Sequence, residues 1–491
     1  MSAESLRPYL DGSGRPSASL VTPIPPMRTG VATYAVRVLE YTRDAISWTV
    51  WYPPGGDPSS LPPDIQSFRL EPDTQVPAWP RIFMLGNSPE CFEVAQALEG
   101  SGGTAVFHET VMHHMLRFGY LSAGRLDLYR RELLFEYGPC ADSVEKLLSR
   151  RARSEIEYDR LLKKYPLTGR LLHSCSGAVC LNPAAASAIS PRIPGSPVAV
   201  ISHPLSPVPA PLPHVSRPAC RYLVGMAGSG HPGRNADIFL KAVEQVRESA
   251  GDVRAVFVGG GWPDDIPEWA FCTGRLEEPE YQSWLRILDA AVDLRYPDCG
   301  ETSGSLLELM RAGVCCVVSA TGSFLHLPSD AVLRVPAPPS ANACAAAIRE
   351  ILDNPGLREA MSPRASGWAA AQGSAERARA QWTALLAAVP SEAAERTVER
   401  FSLSAAWHEP PSGMVRRLGQ GPVTWRFGQQ ARIDPPAPGL VAWVTAWGDG
   451  QISGRPLGRA PSVIPVEGGR LEMTGSGDIT QVMWLPEGGL R

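Results

Sequence analysis

The stretch from Val292 to Ser319, VDLRYPDCGETSGSLLELMRAGVCCVVS, decides the fold. It reads as a short strand, a loop marked by Pro297 and Gly300, a helix of about three turns and a second buried strand. The loop and first helical turn, Gly300-Glu301-Thr302-Ser303-Gly304, bring a carboxylate, two hydroxyls and free backbone N–H groups to one place. The first four N–H groups of a helix lack intrahelical partners and the macrodipole is positive there, so such a terminus favours anions. Glu308 follows Glu301 by seven residues, about two turns, which would let both project from one side of the helix. A phosphate cradle with two carboxylates suits a ligand carrying a diphosphate and several hydroxyls, as a sugar nucleotide does.

Working outward, the segment before this stretch repeats the same alternation. CRYLVGMAG gives a strand, a helix runs from about Asn235 to Ser249, and VRAVFVGGG and FCTG give further strands before the helical EEPEYQSWLRILDAA. GSGHPGRNAD is a glycine-rich turn from strand to helix, holding Gly228 and Ser229, with Arg234 at the helix start. A guanidinium beside free backbone N–H groups is placed to grip a diphosphate. Arg275 and Arg295 end strands on the same cleft, where each can contact a ligand or pair with a carboxylate.

The first part of the chain carries a matching set. Ala18 to Thr22 is a strand, and PIPPMRTGVATYAVRVLE turns at Thr29-Gly30 into a helix from about Val31 to Thr42. Gly30 lets the backbone approach a ligand closely. ISWTVWY, RIFMLGNS and TAVFHET are short apolar runs ending near Asn87 and His108. Strands alternating with helices imply parallel sheets, whose ligands bind beyond the carboxyl ends of the strands. A histidine there can donate to a ligand oxygen, move a proton, or satisfy a loop carbonyl. His113 and His114 fall in the next helix and read as structural. From Leu126 to Leu172 the chain is helical and highly charged, a solvated face rather than a binding patch.

Six prolines in PLSPVPAPLPHVSRP, residues 204–218, mark a semi-rigid linker. The expected organisation is α/β: two Rossmann-like domains facing a cleft, with a small β-rich C-terminal domain. The boundaries are a flexible N-terminus at 1–18, a first Rossmann-like domain at 19–203, the linker at 204–218 and a second Rossmann-like domain at 219–362. Helices at 363–390 cross back to the first domain, and a β-rich appendage follows at 391–491. In that appendage WRFGQQARI, GLVAWVTAWGDGQISG and ITQVMWLP alternate like strands. Its Trp407, Trp425, Trp443 and Trp447 can fill a core, stack on sugars or meet a protein.

Composition limits the functions available. The 491 residues suffice for two or three domains, and 44% hydrophobic with 20% charged residues is ordinary for a globular protein. A net charge of −4 gives no basis for a nucleic-acid partner. No apolar run reaches the roughly 18 residues of a membrane span, and the polar start lacks a signal-peptide core. Ten cysteines and nine histidines show neither CxxC nor HExxH spacing, so no metal site is expected and the cysteines read as buried free thiols in a cytoplasmic protein.

PPMRTGVATY, LGNS, VFHET, MAGSGHPGRN, FVGGG, FCTGRLEEPEY, RYPDCGETSGSLLELMRAGV and TGSF occur in an order and spacing that resembles a GT-B glycosyltransferase of the retaining family-4 group, over roughly residues 19–385. The resemblance implies sugar transfer from a nucleotide-diphosphate donor, a UDP- or GDP-sugar, with retention and without a metal or other cofactor. It implies that Thr29 and Gly30 lie against donor sugar and phosphates, that His108 contacts the transferred sugar, and that Arg234 grips the diphosphate. Asn87, Gly228, Ser229, Gly300, Thr302, Ser303 and Gly304 would line the donor, Glu301 would take sugar hydroxyls and Glu308 the ribose. His108, Glu301 and Arg234 are the expected catalytic residues. Two departures stand out: Ser229 occupies the position where the family usually has an arginine, and the usual Glu-Gly pair is reversed as Gly300-Glu301. The acceptor could be carbohydrate, lipid-linked, a small molecule or a protein, with peripheral membrane contact compatible. A nucleotide-sugar epimerase and a non-catalytic binding scaffold share the same cradle and are the alternative readings.

Overall fold

Ser17–Val21 (β1) is buried along four of its five residues, as a strand covered on both faces must be. It is an inner strand of a seven-stranded sheet with Ser47–Tyr52 (β2), Gln66–Arg69 (β3), Arg81–Leu85 (β4), Gly103–Phe107 (β5), Cys175–Cys180 (β6) and Val198–Val200 (β7). The order is β3-β2-β1-β4-β5-β6-β7 and every pairing is parallel. The computed structural model describes residues 11–71, 74, 76, 80–137, 141–149, 155–193, 196–388, 414–417, 424–433, 440–457, 462–466 and 471–486.

The second sheet follows the same logic. Tyr222–Ala227 (β8), Val253–Val258 (β9), Ala270–Cys272 (β10), Ala290–Asp293 (β11), Cys316–Ser319 (β12) and Val332–Val335 (β13) pair in the order β10-β9-β8-β11-β12-β13, all parallel. In each sheet the strand order reverses beside the first strand, between β1 and β4 and between β8 and β11. Such a reversal leaves a crevice at the carboxyl ends, because the helices on either side cross to opposite faces. Gly30–Thr42 (α1) starts at the first crevice, and a short 3-10 turn, Pro232–Arg234, leads into Ala236–Ala250 (α9) at the second.

Between β5 and β6 the first domain carries a helical insertion, formed by His113–Ser122 (α3), Leu126–Tyr137 (α4), Ala141–Ser149 (α5), Glu155–Lys164 (α6) and Gly169–Ser174 (α7). It reaches the second domain: Lys163 Nζ lies 2.6 Å from Asp298, and Arg160 sits 5.0 Å over the Tyr296 ring. Pro183–Ile189 (α8) follows β6, with Asn182 as its N-cap.

The chain passes between the two domains twice. The proline-rich linker lies against the second domain, where Leu212 N donates to Ser283 and Arg286 donates to the Pro209 carbonyl. The return runs through Pro355–Gln372 (α13), whose Ala365 and Ala369 join the core of the second domain, and Ala375–Ala388 (α14). α14 inserts Trp382 and Leu386 into the core of the first domain, with Trp382 edge-on to Trp48 at 5.8 Å. The two crossings touch, since Leu205 N donates to the Gly373 carbonyl at 3.1 Å and a Cβ on Gly373 would meet Leu205 at 2.4 Å.

The C-terminal residues form a separate antiparallel sheet. Met414–Arg417 (β14), Thr424–Ile433 (β15), Leu440–Gly448 (β16), Ser462–Val466 (β19) and Leu471–Pro486 (β20) take the order β14-β15-β20-β16-β19, with Gln451–Ile452 (β17) and Arg455–Pro456 (β18) pairing beside β20. Trp407 lies outside the described residues, as do the side chains of Trp425, Trp443 and Trp447.

Candidate functional site

Gly304–Arg311 (α11) is built by its cap. The Ser303 side chain accepts from Leu306 N, and its hydroxyl donates to Asp293 at 2.5 Å. That cap begins the helix at Gly304, so Glu301 belongs to the preceding loop. The seven-residue spacing therefore does not set Glu301 and Glu308 on one helix face. Glu301 turns toward the second domain's own strand ends, with Oε1 3.2 Å from Arg295 Nε and Oε2 accepting from Cys299 N at 2.6 Å. Glu308 points to the first domain, and its Oε1 lies 2.9 Å from Arg37 Nη2.

Asp293, fully buried at the end of β11, anchors the charges of the second domain. Its Oδ1 lies 3.3 Å from Arg234 and 3.2 Å from Arg295, and its Oδ2 takes the Ser303 hydroxyl. Arg234 also donates to the Ala227 carbonyl at 2.7 Å and to Ser305 at 3.4 Å, and it packs 5.0 Å over the Trp262 ring. Burial, and then the neighbouring Arg295 charge, bring the Arg234 guanidinium down to about 10. It remains a cation at neutral pH, and its Nε has no hydrogen-bond partner. The glycine turn beside it is held tightly: Gly228 adopts φ +99°, and a Cβ on Gly230 would meet the Gly261 carbonyl oxygen at 2.1 Å. Ser229, on that turn, is exposed.

The first domain meets this loop with hydrogen bonds. Thr110 donates through N at 2.7 Å and through Oγ1 at 2.9 Å to the Cys299 carbonyl. Asn182 donates to the Gly300 carbonyl at 2.9 Å and to Thr302 Oγ1 at 3.0 Å, while the Thr302 hydroxyl donates to the Leu181 carbonyl. Gly300 sits at φ +84°, and a Cβ there would meet Thr110 at 2.6 Å, so glycine is required twice over. The hydroxyls of Thr302 and Ser303 are thus both committed to protein partners.

At the end of β5, His108 lies edge-on to Tyr34 at 4.6 Å, and its Nε2 has no hydrogen-bond partner. His203, from the start of the linker, lies 5.2 Å from the same ring, and a Cβ on Gly304 would meet its imidazole at 3.2 Å. Burial holds both histidines down to about 3, helped by His203 for His108 and by Arg37 for His203, so both are neutral at pH 7. Glu109 follows His108, and Asn87 N donates to it at 3.4 Å. Burial and then the Glu301 charge push the Glu109 carboxyl up to about 8, so it is mostly protonated at pH 7. Asn87 has a further local duty, because its Oδ1 accepts from Met115 N in α3. Thr29 caps α1 and receives a hydrogen bond from Ser88 at 3.1 Å, and Gly30 begins the helix with open space where a Cβ would be. His113 bridges the Tyr165 carbonyl and the Tyr129 hydroxyl, which accounts for it structurally.

The structure thus gathers His108, Asn87, Thr29 and Gly30 on one side and Arg234, Gly300, Glu301 and the α11 terminus on the other. It adds Asp293, Glu109, His203 and Arg37, which the sequence reading did not single out. Arg275 is exposed. Among the described residues, no cluster of three or more His, Cys, Asp or Glu side chains is placed to hold a metal. None of the described helices is long and apolar enough to cross a membrane.

Residues 221–354 match the family model described as glycosyl transferases group 1. Sucrose-phosphate synthase from Thermosynechococcus elongatus superposes with a TM-score of 0.53 at 15% identity, over 76% of this chain and 98% of that one. The protein has the GT-B fold. Two further solved structures align over 76% of the chain. WaaG, a glycosyltransferase involved in lipopolysaccharide biosynthesis, gives 0.49 at 13% identity over its whole chain. HepE from Anabaena, solved with UDP and glucose, gives 0.47 at 12% identity over 99% of its chain. A search of curated protein sequences found no match. The segment matched by the family model holds Arg234, Asp293, Arg295 and all of α11.

Proposed function

We propose that the protein transfers a sugar from a nucleotide-diphosphate donor, a UDP- or GDP-sugar, to an acceptor, with retention of anomeric configuration and without a metal ion. One observation carries this reading: the loops after β5 and β6 of the first sheet hydrogen-bond the loop that leads into α11 of the second, Thr110 to Cys299 and Asn182 to Gly300 and Thr302, beside the Tyr34 ring that joins His108 to the His203 imidazole at Gly304.

The chemistry follows from where charge develops. Departure of a nucleoside diphosphate builds negative charge on the leaving oxygen. A fixed guanidinium and unpaired helix N–H groups stabilise that charge without reorganising, a role that elsewhere a metal ion can fill. His108, neutral and with a free Nε2, is suited to a hydroxyl of the transferred sugar. Glu308 is assigned the ribose hydroxyls, which requires the Arg37 contact to give way or to be shared. No carboxylate of the cleft stands free as a nucleophile: Asp293 and Glu301 are ion-paired and Glu109 is mostly protonated at pH 7. Attack by the acceptor on the face the leaving group vacates therefore fits retention best. Nine free thiols among the described residues suit the cytoplasm, where sugar nucleotides are made available.

The test is release of nucleoside diphosphate from a panel of UDP-, GDP- and dTDP-sugars, with product sugar followed by NMR. Release that depends on Arg234 supports transfer or its hydrolytic side reaction. Free sugar inverted at C2 would instead identify an epimerase, and binding without turnover would identify a scaffold.

A further inference from the structure

A diphosphate carries two or more negative charges, and the glycine turn offers it none in return, because Ser229 is uncharged. Arg234 stands behind that turn with only 5% of its side chain exposed and most of its donors already used. The missing charge has to come from elsewhere in the cleft. Arg295 follows β11 by two residues and reaches the N-cap of α11, where its Nη2 donates to Ser303 Oγ at 3.2 Å. Its Nη1 shares Asp293 Oδ1 with Arg234, and its Nε holds Glu301 at 3.2 Å. Two guanidinium groups therefore converge on one buried oxygen at a helix terminus.

Their two counterions are unlike. Asp293 is fully buried and fixed by the Ser303 hydroxyl, whereas the Glu301 side chain is 23% exposed and lies on the loop. Like charges brought this close need an anion nearby, and a loop carboxylate that meets the guanidinium through one oxygen only can be exchanged for an oxyanion able to take two of its N–H groups.

We infer that Arg295 is the second diphosphate-binding guanidinium of this cleft, replacing the charge absent at Ser229, and that Glu301 is a resident anion which the diphosphate displaces from it. This rests on the nucleotide-diphosphate reading given above. On displacement Glu301 gives up Arg295, keeps or exchanges its hydrogen bond from Cys299 N, and becomes available to donor hydroxyls. The reversed Gly300-Glu301 order and the loss of charge at Ser229 then become two parts of one rearrangement.

Calorimetric titration of the full chain with UDP, GDP and dTDP, and with uridine, guanosine and thymidine, tests this. The proteins compared are wild type, Arg295→Met, Arg295→Lys and Glu301→Gln, each checked by thermal melting. Arg295→Met should weaken the diphosphate that wild type binds by tenfold or more while leaving the matching nucleoside within twofold. Arg295→Lys should recover part of the loss. Glu301→Gln, which keeps an oxygen for Cys299 N, should tighten the diphosphate severalfold. Equal diphosphate affinity in Arg295→Met and wild type, parallel loss of nucleoside and diphosphate, or no gain in Glu301→Gln would overturn the inference. Failure of wild type to bind any of the three diphosphates would instead remove the functional reading, and the inference with it.

Discussion

The two faces of the cleft solve opposite electrostatic problems. The first domain presents His108, His203 and Glu109 in neutral forms, because burial disfavours the charged state of each. The second presents Arg234 and Arg295 in ion pairs around Asp293, with Glu301 outside them. Neutral hydrogen-bonding groups can read sugar hydroxyls without competing for the phosphates, and fixed charges can hold a leaving group without shielding by water. One fold, used twice, has been given two dielectric roles.

If the charged face is the energetic centre, Arg234→Met should have the largest effect. Truncation leaves Asp293 buried with a partner missing, which costs about 3–5 kcal/mol of stability. It should also cut turnover on the order of a hundredfold or more. Melting and initial-rate measurements check both, and a variant that keeps wild-type rate would remove Arg234 from the mechanism.

His108→Ala tests the neutral face. It should lower turnover by about tenfold, the loss of one neutral hydrogen bond to the sugar. It should move melting little, because Nε2 has no partner to lose. A large fall in stability with unchanged kinetics would make His108 a packing residue.

The boundary between the faces is crossed by Arg37, which holds Glu308 at 2.9 Å and Glu278 at 3.3 Å from α1. Both Arg37 and Glu308 are buried, and burial raises the Glu308 carboxyl despite the Arg37 charge. Arg37→Met should cost about 3 kcal/mol at neutral pH and increase the radius of gyration seen by small-angle scattering, as cleft closure loosens. An unchanged radius would show that the hydrogen bonds of Thr110 and Asn182 suffice.

The smallest effect is the pH response, because Glu109 and His108 are only partly buried and water screens their charges. Glu109 has its folded value raised, to about 8 from 4.5. The folded state then binds more protons than the unfolded one, and the stability Glu109 contributes is lost as pH rises through 8. His108 is lowered to about 3 from 6.5, so its contribution is complete above 6.5 and is lost as pH falls toward 3. Glu109→Gln should remove the part of the fall in stability that runs from pH 4.5 up to about 8. His108→Ala should remove the part lost as pH falls from 6.5 toward about 3.

Much of this was legible in the sequence, for physical reasons that can be named. The inner strands of both sheets are buried on both faces, so they read as apolar runs. The turns at Thr29-Gly30, at Gly228 and at Gly300 punctuate them, and GETSG carried the α11 cap. What was hidden depends on contacts distant in the chain. Arg37 lies 241 residues from Glu278, and nothing local in GVATYAVRVLE says where its charge goes, although a guanidinium among the buried positions of α1 was a signal. Asp293 sits inside an apolar run and passes for a strand residue, and only the convergence of Arg234, Arg295 and Ser303 gives it a role. His203 was masked by the prolines around it, which read as a spacer. The Glu301 and Glu308 geometry was misjudged because helical periodicity was extended through residues that the Ser303 cap leaves in a loop.

The contact between Leu205 and Gly373 joins the outgoing and returning connections at one point. A body suspended on two neighbouring threads has a pivot there and a lever arm everywhere else. α14, with Trp382 seated among first-domain side chains, must travel with that domain, while α13 stays with the other. Relative movement then becomes a swing whose amplitude grows with distance from residues 205 and 373. Lys163 and Asp298, on opposite domains, would be one latch of that swing among several, beside Arg37 with Glu308 and Thr110 with Cys299.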